Sequence, residues 1–105
     1  MWQFVALYRR PDDPDAFEHH YRTVHIPLVR NFPGLRRMTF SRVESESTSR
    51  AEPAVCFIST MYWDDRESLD IALRSEARKL AYEDTAKFRH FQIGRYIGAV
   101  EDVEL

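Results

Sequence analysis

Residues 54–63 decide the fold, and they read Ala-Val-Cys-Phe-Ile-Ser-Thr-Met-Tyr-Trp. Aromatic and β-branched residues in such a run are typical of a β-strand. Successive side chains of a strand point to opposite faces, and here both faces are mostly apolar. A strand with two apolar faces usually lies between two layers. The stretch therefore predicts a sheet that is covered on both sides.

Three further stretches read as strands, at residues 2–9, 35–44 and 93–100. The first of them is also apolar on both faces. Residues 44–53 are polar, with four serines or threonines, and predict an exposed hairpin loop before the deciding strand. The chain thus carries four strands, of which the second and third are neighbours in sequence.

The first helix is predicted to begin at Asp13, whose carboxylate can cap free amides, with Pro14 at the first helical position. The apolar residues that follow have helical spacing: Phe17, Tyr21, Val24, Leu28 and Phe32. Pro27 lies inside this stripe. Because proline lacks an amide hydrogen and disfavours helical geometry before it, a kink or break is expected there.

A second helical region follows the deciding strand. Asp64 and Glu67 have the spacing of a capping box, with Asp64 as the cap. The helix is expected to restart at Ser75-Glu76 after a short break. The resulting order is βαββαβ, which predicts an α+β ferredoxin-like fold: a four-stranded antiparallel sheet with two helices on one face.

The other face of such a sheet is bare, yet the strands are apolar on that side too. A large exposed apolar patch usually marks an interface. A second copy of the chain can cover it by packing sheet against sheet. We therefore expect a homodimer through the sheet faces.

Length and composition exclude several classes of protein. The chain has 105 residues, which corresponds to one domain over residues 1–105, and a formal net charge of −2. A nucleic-acid binder usually carries a basic excess, and a membrane helix needs a run of roughly 18 apolar residues. The opening residues lack the pattern of a signal peptide, and the single cysteine cannot form an internal disulfide. A cytoplasmic protein without nucleic-acid or membrane partners is expected.

The best candidate for chemistry is the pair Tyr21 and His25. Four residues apart on a helix, they are neighbours on one face, at the edge of the apolar stripe. An imidazole has the right pKa range to move protons, and a nearby phenol can donate to a substrate carbonyl or orient the ring. The alternative is a half-buried histidine bonded to a loop carbonyl.

Other residues are candidates for substrate binding. The aromatic and apolar side chains Phe4, Phe17, Leu28 and Tyr62 can line an apolar pocket, although core packing is the ordinary role of such residues. Arg37 can bind a substrate carboxylate, or it can form a surface ion pair. The spacing of His19, His20 and His25 does not match a metal site, and no phosphate loop or dinucleotide fingerprint is present. The expected chemistry needs neither metal nor cofactor.

Residues 21–28, Tyr-Arg-Thr-Val-His-Ile-Pro-Leu, followed by Pro-Gly-Leu-Arg-Arg at 33–37, resemble the EthD family. The opening strand that ends in Leu-Tyr-Arg-Arg-Pro at residues 7–11 fits that family, as does Ser75-Glu76. The resemblance implies a dimeric α+β barrel with a pocket between sheet and helices in each subunit. His25 and Tyr21 match the family's signature positions. Relatives in the wider superfamily include muconolactone-type isomerases and cofactor-independent monooxygenases.

Three hypotheses follow. In the first, the chain is a cofactor-independent isomerase, cyclase or oxygenase-like enzyme of bacterial catabolism or secondary metabolism, with His25 as general acid or base and a small hydrophobic or aromatic substrate. In the second, the same pocket binds a hydrophobic metabolite without chemistry, as an accessory dimer beside an oxidase. In the third, the chain is a structural dimer without a pocket.

Overall fold

The computed structural model describes residues 1–105 and contains one antiparallel sheet flanked by helices. The strands are β1 (Trp2–Tyr8), β2 (Arg37–Arg42), β3 (Phe57–Trp63) and β4 (Gln92–Ala99). The helices are α1 (Pro14–His20), α2 (Ile26–Val29), α3 (Arg66–Leu73) and α4 (Glu76–Asp84). The sheet order is β2-β3-β1-β4, which confirms the predicted ferredoxin-like arrangement.

The deciding strand, β3, lies inside the sheet, between β2 and β1. Its register with β1 sets Met61 opposite Phe4 and Phe57 opposite Tyr8. These side chains share one face because alternate residues of a strand point the same way. That face carries the helices, and the packing between them forms the core.

The core consists of two adjoining clusters of buried side chains. One gathers around Tyr8, Phe17, Tyr21 and Phe57. The other gathers around Trp63, which is fully buried and donates from Nε1 to the Pro33 carbonyl oxygen at 3.0 Å. Aromatic side chains bury much apolar area each, so these rings account for a large part of the helix-to-sheet contact.

The first helical region is irregular near Pro27, where a kink or break was expected, but it does not break. A π-helical turn spans Tyr21–His25, and the Ile26 amide donates to the Tyr21 carbonyl five residues back. The chain then continues as α2, with Pro27 in its first turn. A wider turn removes the need for an amide hydrogen at Pro27, because the i→i−4 pattern is already replaced there. The proline therefore accompanies a widened turn instead of ending the helix.

The predicted helix starts are confirmed at Asp13 and Ser75, whose side chains accept from the amides of Ala16 and Arg78. The start of α3 differs by one residue. Its cap is Asp65, which accepts from the Ser68 amide at 2.8 Å. Asp64 instead faces Arg36 at 3.5 Å on the surface. Both aspartates suit a cap by residue type, and Asp65 is the one with extended backbone (φ −148°, ψ 173°) and a bond from the Ser68 amide.

The face of the sheet away from the helices carries the other set of alternate side chains. Val5 and Ile58 on that face are half-buried, and Tyr96 of β4 is 59% exposed. The strands β1 and β3 thus carry apolar side chains on this face too, as predicted from the sequence, whereas β2 contributes Arg37, Thr39 and Ser41. No helix of the structure is long and apolar enough to span a bilayer.

The cap assignment can be tested with two aspartate variants. Asp65→Ala removes the acceptor for the Ser68 amide, so the midpoint of urea unfolding should fall. Asp64→Ala is the matched control and should leave the midpoint almost unchanged, because an exposed ion pair contributes little. The Ser68 amide lowers the pKa of Asp65, so this contribution should be present at neutral pH and disappear in acid as Asp65 is protonated. Equal effects of the two variants would contradict the assignment.

Candidate active site

A small cavity lies between the sheet and the helices, and His25 lines it. Its inner wall is formed by buried residues, including Tyr8 and Tyr21, and its outer end reaches the exposed side chains of Tyr82 and Arg95. The free space is about 50 Å³, enough for a few water molecules. Pockets for drug-sized ligands usually hold about 300–1,000 Å³, so a ring-sized ligand requires the outer side chains to move.

The π-helical turn places His25 at the cavity wall, and Asp84 fixes its orientation. His25 Nδ1 donates to Asp84 Oδ2 at 3.1 Å. Because the carboxylate can only accept, the proton of a neutral imidazole is held on Nδ1 and the lone pair lies on Nε2. No protein group hydrogen-bonds Nε2. This nitrogen is therefore free to act on a molecule in the cavity.

Asp84 is the last residue of α4 and bridges two histidines. His20 Nε2 lies 3.0 and 3.1 Å from the two carboxylate oxygens. The Asp84 side chain is 8% exposed, so these donors take the place of water at its carboxylate oxygens. No group of three or more His, Cys, Asp or Glu side chains is arranged to hold a metal ion.

Burial lowers the pKa of His25 from its ordinary value of 6.5, and the hydrogen bond that His25 donates to Asp84 only partly opposes this shift. The imidazole is consequently neutral at pH 7 and can accept a proton. Phe88 meets its ring edge-on, with centroids 5.2 Å apart. A buried neutral imidazole oriented by a carboxylate is an arrangement suited to general-base chemistry.

Tyr21 contacts His25 through its ring, with centroids 4.7 Å apart, and not through its hydroxyl. Burial raises the pKa of Tyr21 well above its ordinary range, and the neighbouring Tyr8 adds to that shift. Burial also raises the pKa of Tyr8, whose hydroxyl accepts from Gln92 Nε2 at 3.3 Å. Both phenols stay protonated at neutral pH and keep a hydrogen to donate.

The structure brings together only some of the residues predicted to form the site. His25, Tyr21 and Phe4 line the cavity. Phe17 packs in the core against Tyr21, at 5.5 Å between ring centroids, and Leu28 packs against the Trp63 cluster; neither lines the cavity.

Tyr62 and Arg37 lie on the opposite face of the sheet from His25. They form a cross-strand pair there, with the Arg37 guanidinium 5.4 Å from the Tyr62 ring. The strand alternation that puts Met61 and Trp63 on the helix side puts Tyr62 on the other side. Both residues were candidates because the sequence does not determine which face of the sheet lines the pocket.

Sequence reasoning missed Asp84, which is 59 residues from its partner His25. One local signal was present. An acidic residue in the last turn of a helix is unfavourable beside the negative end of the helix dipole, so a stabilising partner elsewhere in the fold is expected for Asp84. It also missed Arg78, Arg89 and Arg95, which line the outer part of the cavity. No spacing in the sequence connects these three.

The lowered pKa of His25 predicts a dependence of stability on pH. The unfolded chain binds a proton near pH 6.5, whereas the folded chain binds it only at lower pH, so the free energy of unfolding should fall as the pH drops below 6.5. His25→Gln should reduce this loss in urea unfolding measured between pH 7 and pH 5. His19→Gln, at an exposed position, is the control and should follow the wild type. An unchanged pH profile in His25→Gln would contradict the burial of a neutral imidazole.

Known proteins similar to this chain identify its family. The EthD domain profile matches residues 9–92. An EthD family protein from Bacillus halodurans is 35% identical, with a TM-score of 0.87 over 96% of this chain and 99% of that chain.

Two more distant structures share the fold. The cofactor-independent oxygenase SnoaB from Streptomyces nogalater is 14% identical, with a TM-score of 0.70 over 97% of this chain and 94% of that chain. A dimeric ferredoxin-like protein of unknown function from Thermobifida fusca is 17% identical, with a TM-score of 0.62 over 92% and 86% of the two chains. The profile covers most of the sequence, and the Bacillus protein matches this chain over nearly its whole length. The chain therefore belongs to the EthD family.

Proposed function

We propose that the chain is a cofactor-independent enzyme that moves a proton on a small hydrophobic or aromatic metabolite. The observation that carries this proposal is the Asp84–His25 pair, which leaves Nε2 of a buried neutral imidazole unpartnered at a cavity. In the reaction, Nε2 removes a proton from a carbon or oxygen of the substrate and returns it at another position. The result is an isomerisation or cyclisation, in which no electrons leave the substrate.

The two tyrosines complement this role. A proton removed next to a carbonyl leaves negative charge on the carbonyl oxygen, and a phenol that keeps its hydrogen can stabilise that oxygen. Tyr8 and Tyr21 both line the cavity, and their raised pKa values keep them protonated as donors. The side chains that line the cavity thus include both a base and hydrogen-bond donors.

The fold supplies a precedent only by analogy. The neighbour from Streptomyces nogalater is a cofactor-independent oxygenase. Catalysis without a cofactor is thus compatible with this architecture. Oxygenation is the variant of the proposal in which the substrate anion that His25 generates reacts with dioxygen, which is then the oxidant.

A second candidate is a non-catalytic module that binds a metabolite, for example beside an oxidase. Such a module needs only the apolar lining of the cavity, which includes Phe4, Val29 and Met61, and does not need a base. The two candidates differ in one respect: only the enzyme forms product.

The open sheet face supports a homodimer. Its alternate side chains include Val5, Leu7 and Ile58, which are half-buried and have no helix above them. Burial of such a face against its copy removes apolar area from water. The structural neighbour from Thermobifida fusca is a dimeric ferredoxin-like protein, which supports the same arrangement here.

The catalytic proposal predicts a large effect of His25→Gln. Candidate lactones and hydroxyaromatic compounds are incubated with the protein in D₂O, and product and deuterium incorporation are followed by mass spectrometry. The variant should lower the rate by about 10²–10⁴-fold, because it removes the base. Asp84→Asn should lower it less, since the amide oxygen can still accept from Nδ1 while the charge is lost.

His19→Gln is the matched control for this experiment and should turn over at the wild-type rate. Full turnover by His25→Gln would exclude His25 as the base. Binding of a compound without product from any variant would instead favour the non-catalytic module.

The dimer proposal predicts a species of twice 12.5 kDa in a native mass spectrum. Ile58→Glu places a charge on the open sheet face and should convert the protein to monomer, because an unpaired charge is costly in an interface. Ile71→Glu, on the exposed side of α3, is the control and should remain dimeric. A wild-type monomer, or loss of the dimer in both variants, would contradict association through the sheet.

A further inference from the structure

Three guanidinium groups converge on the outer end of the cavity that holds His25. Arg78 comes from α4, Arg89 from the short 3₁₀ turn Arg89–Phe91, and Arg95 from β4. They are called the arginine cluster below. Residues from three separate elements meet there, so the cluster is a product of the fold and not of local sequence.

The arginine cluster has no carboxylate partner. None of its members lies within 4.0 Å of an Asp or Glu side chain, whereas five of the ten other arginines form such pairs: Arg10, Arg22, Arg36, Arg42 and Arg66. The chain has 17 acidic and 15 basic residues, so carboxylates are not in short supply. The three charges are thus without a carboxylate partner at the outer end of the cavity that His25 lines.

Tyr82 and Thr85 hold the cluster in place. The three guanidinium carbons lie 4.1–6.0 Å from the Tyr82 ring centroid, within the range of cation–π attraction. Arg89 also donates from Nε to Thr85 Oγ1 at 3.1 Å and from Nη2 to the Tyr82 carbonyl oxygen at 3.2 Å. These contacts keep the three guanidinium groups together around the Tyr82 ring.

No carboxylate of the protein offsets the repulsion between the three positive charges of the cluster. Burial lowers the pKa of Arg78, and the positive charge of Arg95 lowers it further. Arg95 also lies close enough to the buried end of the cavity to act on Tyr8. An anion placed between the arginines would relieve the repulsion and gain charge-assisted hydrogen bonds.

We propose that the arginine cluster binds the carboxylate of a small hydrophobic acid, which rests on the proposed function because it names the substrate class of that same cavity. The apolar body of the acid extends inward along Phe4, Val29 and Met61, which line the cavity. Its reactive carbon then lies toward Nε2 of His25. A planar carboxylate suits guanidinium donors, which can bind it with two parallel hydrogen bonds.

The inner and outer ends of the cavity have complementary tasks in this arrangement. The outer end is positive and partly exposed, with Tyr82 at 38% exposure. The inner end is apolar and contains the imidazole. A ligand with a charge at one end and a carbon skeleton at the other can enter in only one orientation, so the arginines set which carbon reaches His25.

The test is isothermal titration of the whole protein with four acids, acetate, hexanoate, benzoate and phenylacetate, each compared with its neutral primary amide. At least one acid should bind saturably, and its amide should bind about 10-fold or more weakly, as expected when a charged hydrogen-bond partner is lost. Arg95→Met, at an exposed position, and Arg78→Met should weaken the acid by a similar factor and leave the amide unchanged. Circular dichroism verifies that both variants are folded.

Arg50→Met, in the exposed loop away from the cavity, is the matched control and should bind the acid like the wild type. The proposal is overturned if none of the acids binds, if an amide binds as tightly as its acid, or if Arg50→Met loses as much affinity as Arg95→Met.

Titration of His25→Gln separates this inference from the proposed function. Arginine-dependent binding of an acid that persists in His25→Gln, with no compound turned over by the wild type, would keep the carboxylate site and reject the enzyme. His25-dependent turnover of a neutral compound that is unaffected by Arg78→Met and Arg95→Met would do the reverse.

Discussion

The carboxylate of Asp84 is the group on which the site depends. It lies at the end of α4, receives hydrogen bonds from His20 and His25, and so connects the second helical region to the first. A buried carboxylate requires such donors, and the histidines acquire a defined orientation in return. One contact therefore joins the helices above the sheet and determines which nitrogen of His25 is basic.

The backbone contributes through the π-helical turn at Tyr21–His25. Such turns occur frequently at functional sites. Here the turn directs Tyr21 and His25 toward the sheet together, where Tyr8 and Phe88 enclose them. The same enclosure that disfavours a charged imidazole keeps the phenols protonated, so burial alone gives the cavity both an acceptor and donors.

Much of the fold was predictable from the sequence because its signals are local. The two-faced apolar pattern around Phe57, the caps at Asp13 and Ser75, and the order of elements each depend on neighbouring residues. A kink or break was expected at Pro27, and the helix is irregular there but unbroken, since proline chemistry does not reveal that a helix can widen instead. For the site, the spacing of Tyr21 and His25 identified two residues of the cavity wall. Asp84 and the three arginines reach the cavity only through tertiary structure. Tyr62 and Arg37 could be placed only once it was known which face of the sheet bears the helices.

The π-helical turn also has a consequence for how the chain can change over evolutionary time. Such a turn amounts to one additional residue within a helix whose two ends, at the Asp13 cap and the Pro33 turn, are fixed by other contacts. Deleting one residue there would restore regular helical spacing between the two fixed ends, so that side chains within the former wide turn would point in other directions. A relative shorter by one residue in this helix would retain the architecture while its histidine pointed elsewhere. The length of this helix, more than overall sequence similarity, would then distinguish family members with the same histidine position from members that share only the fold.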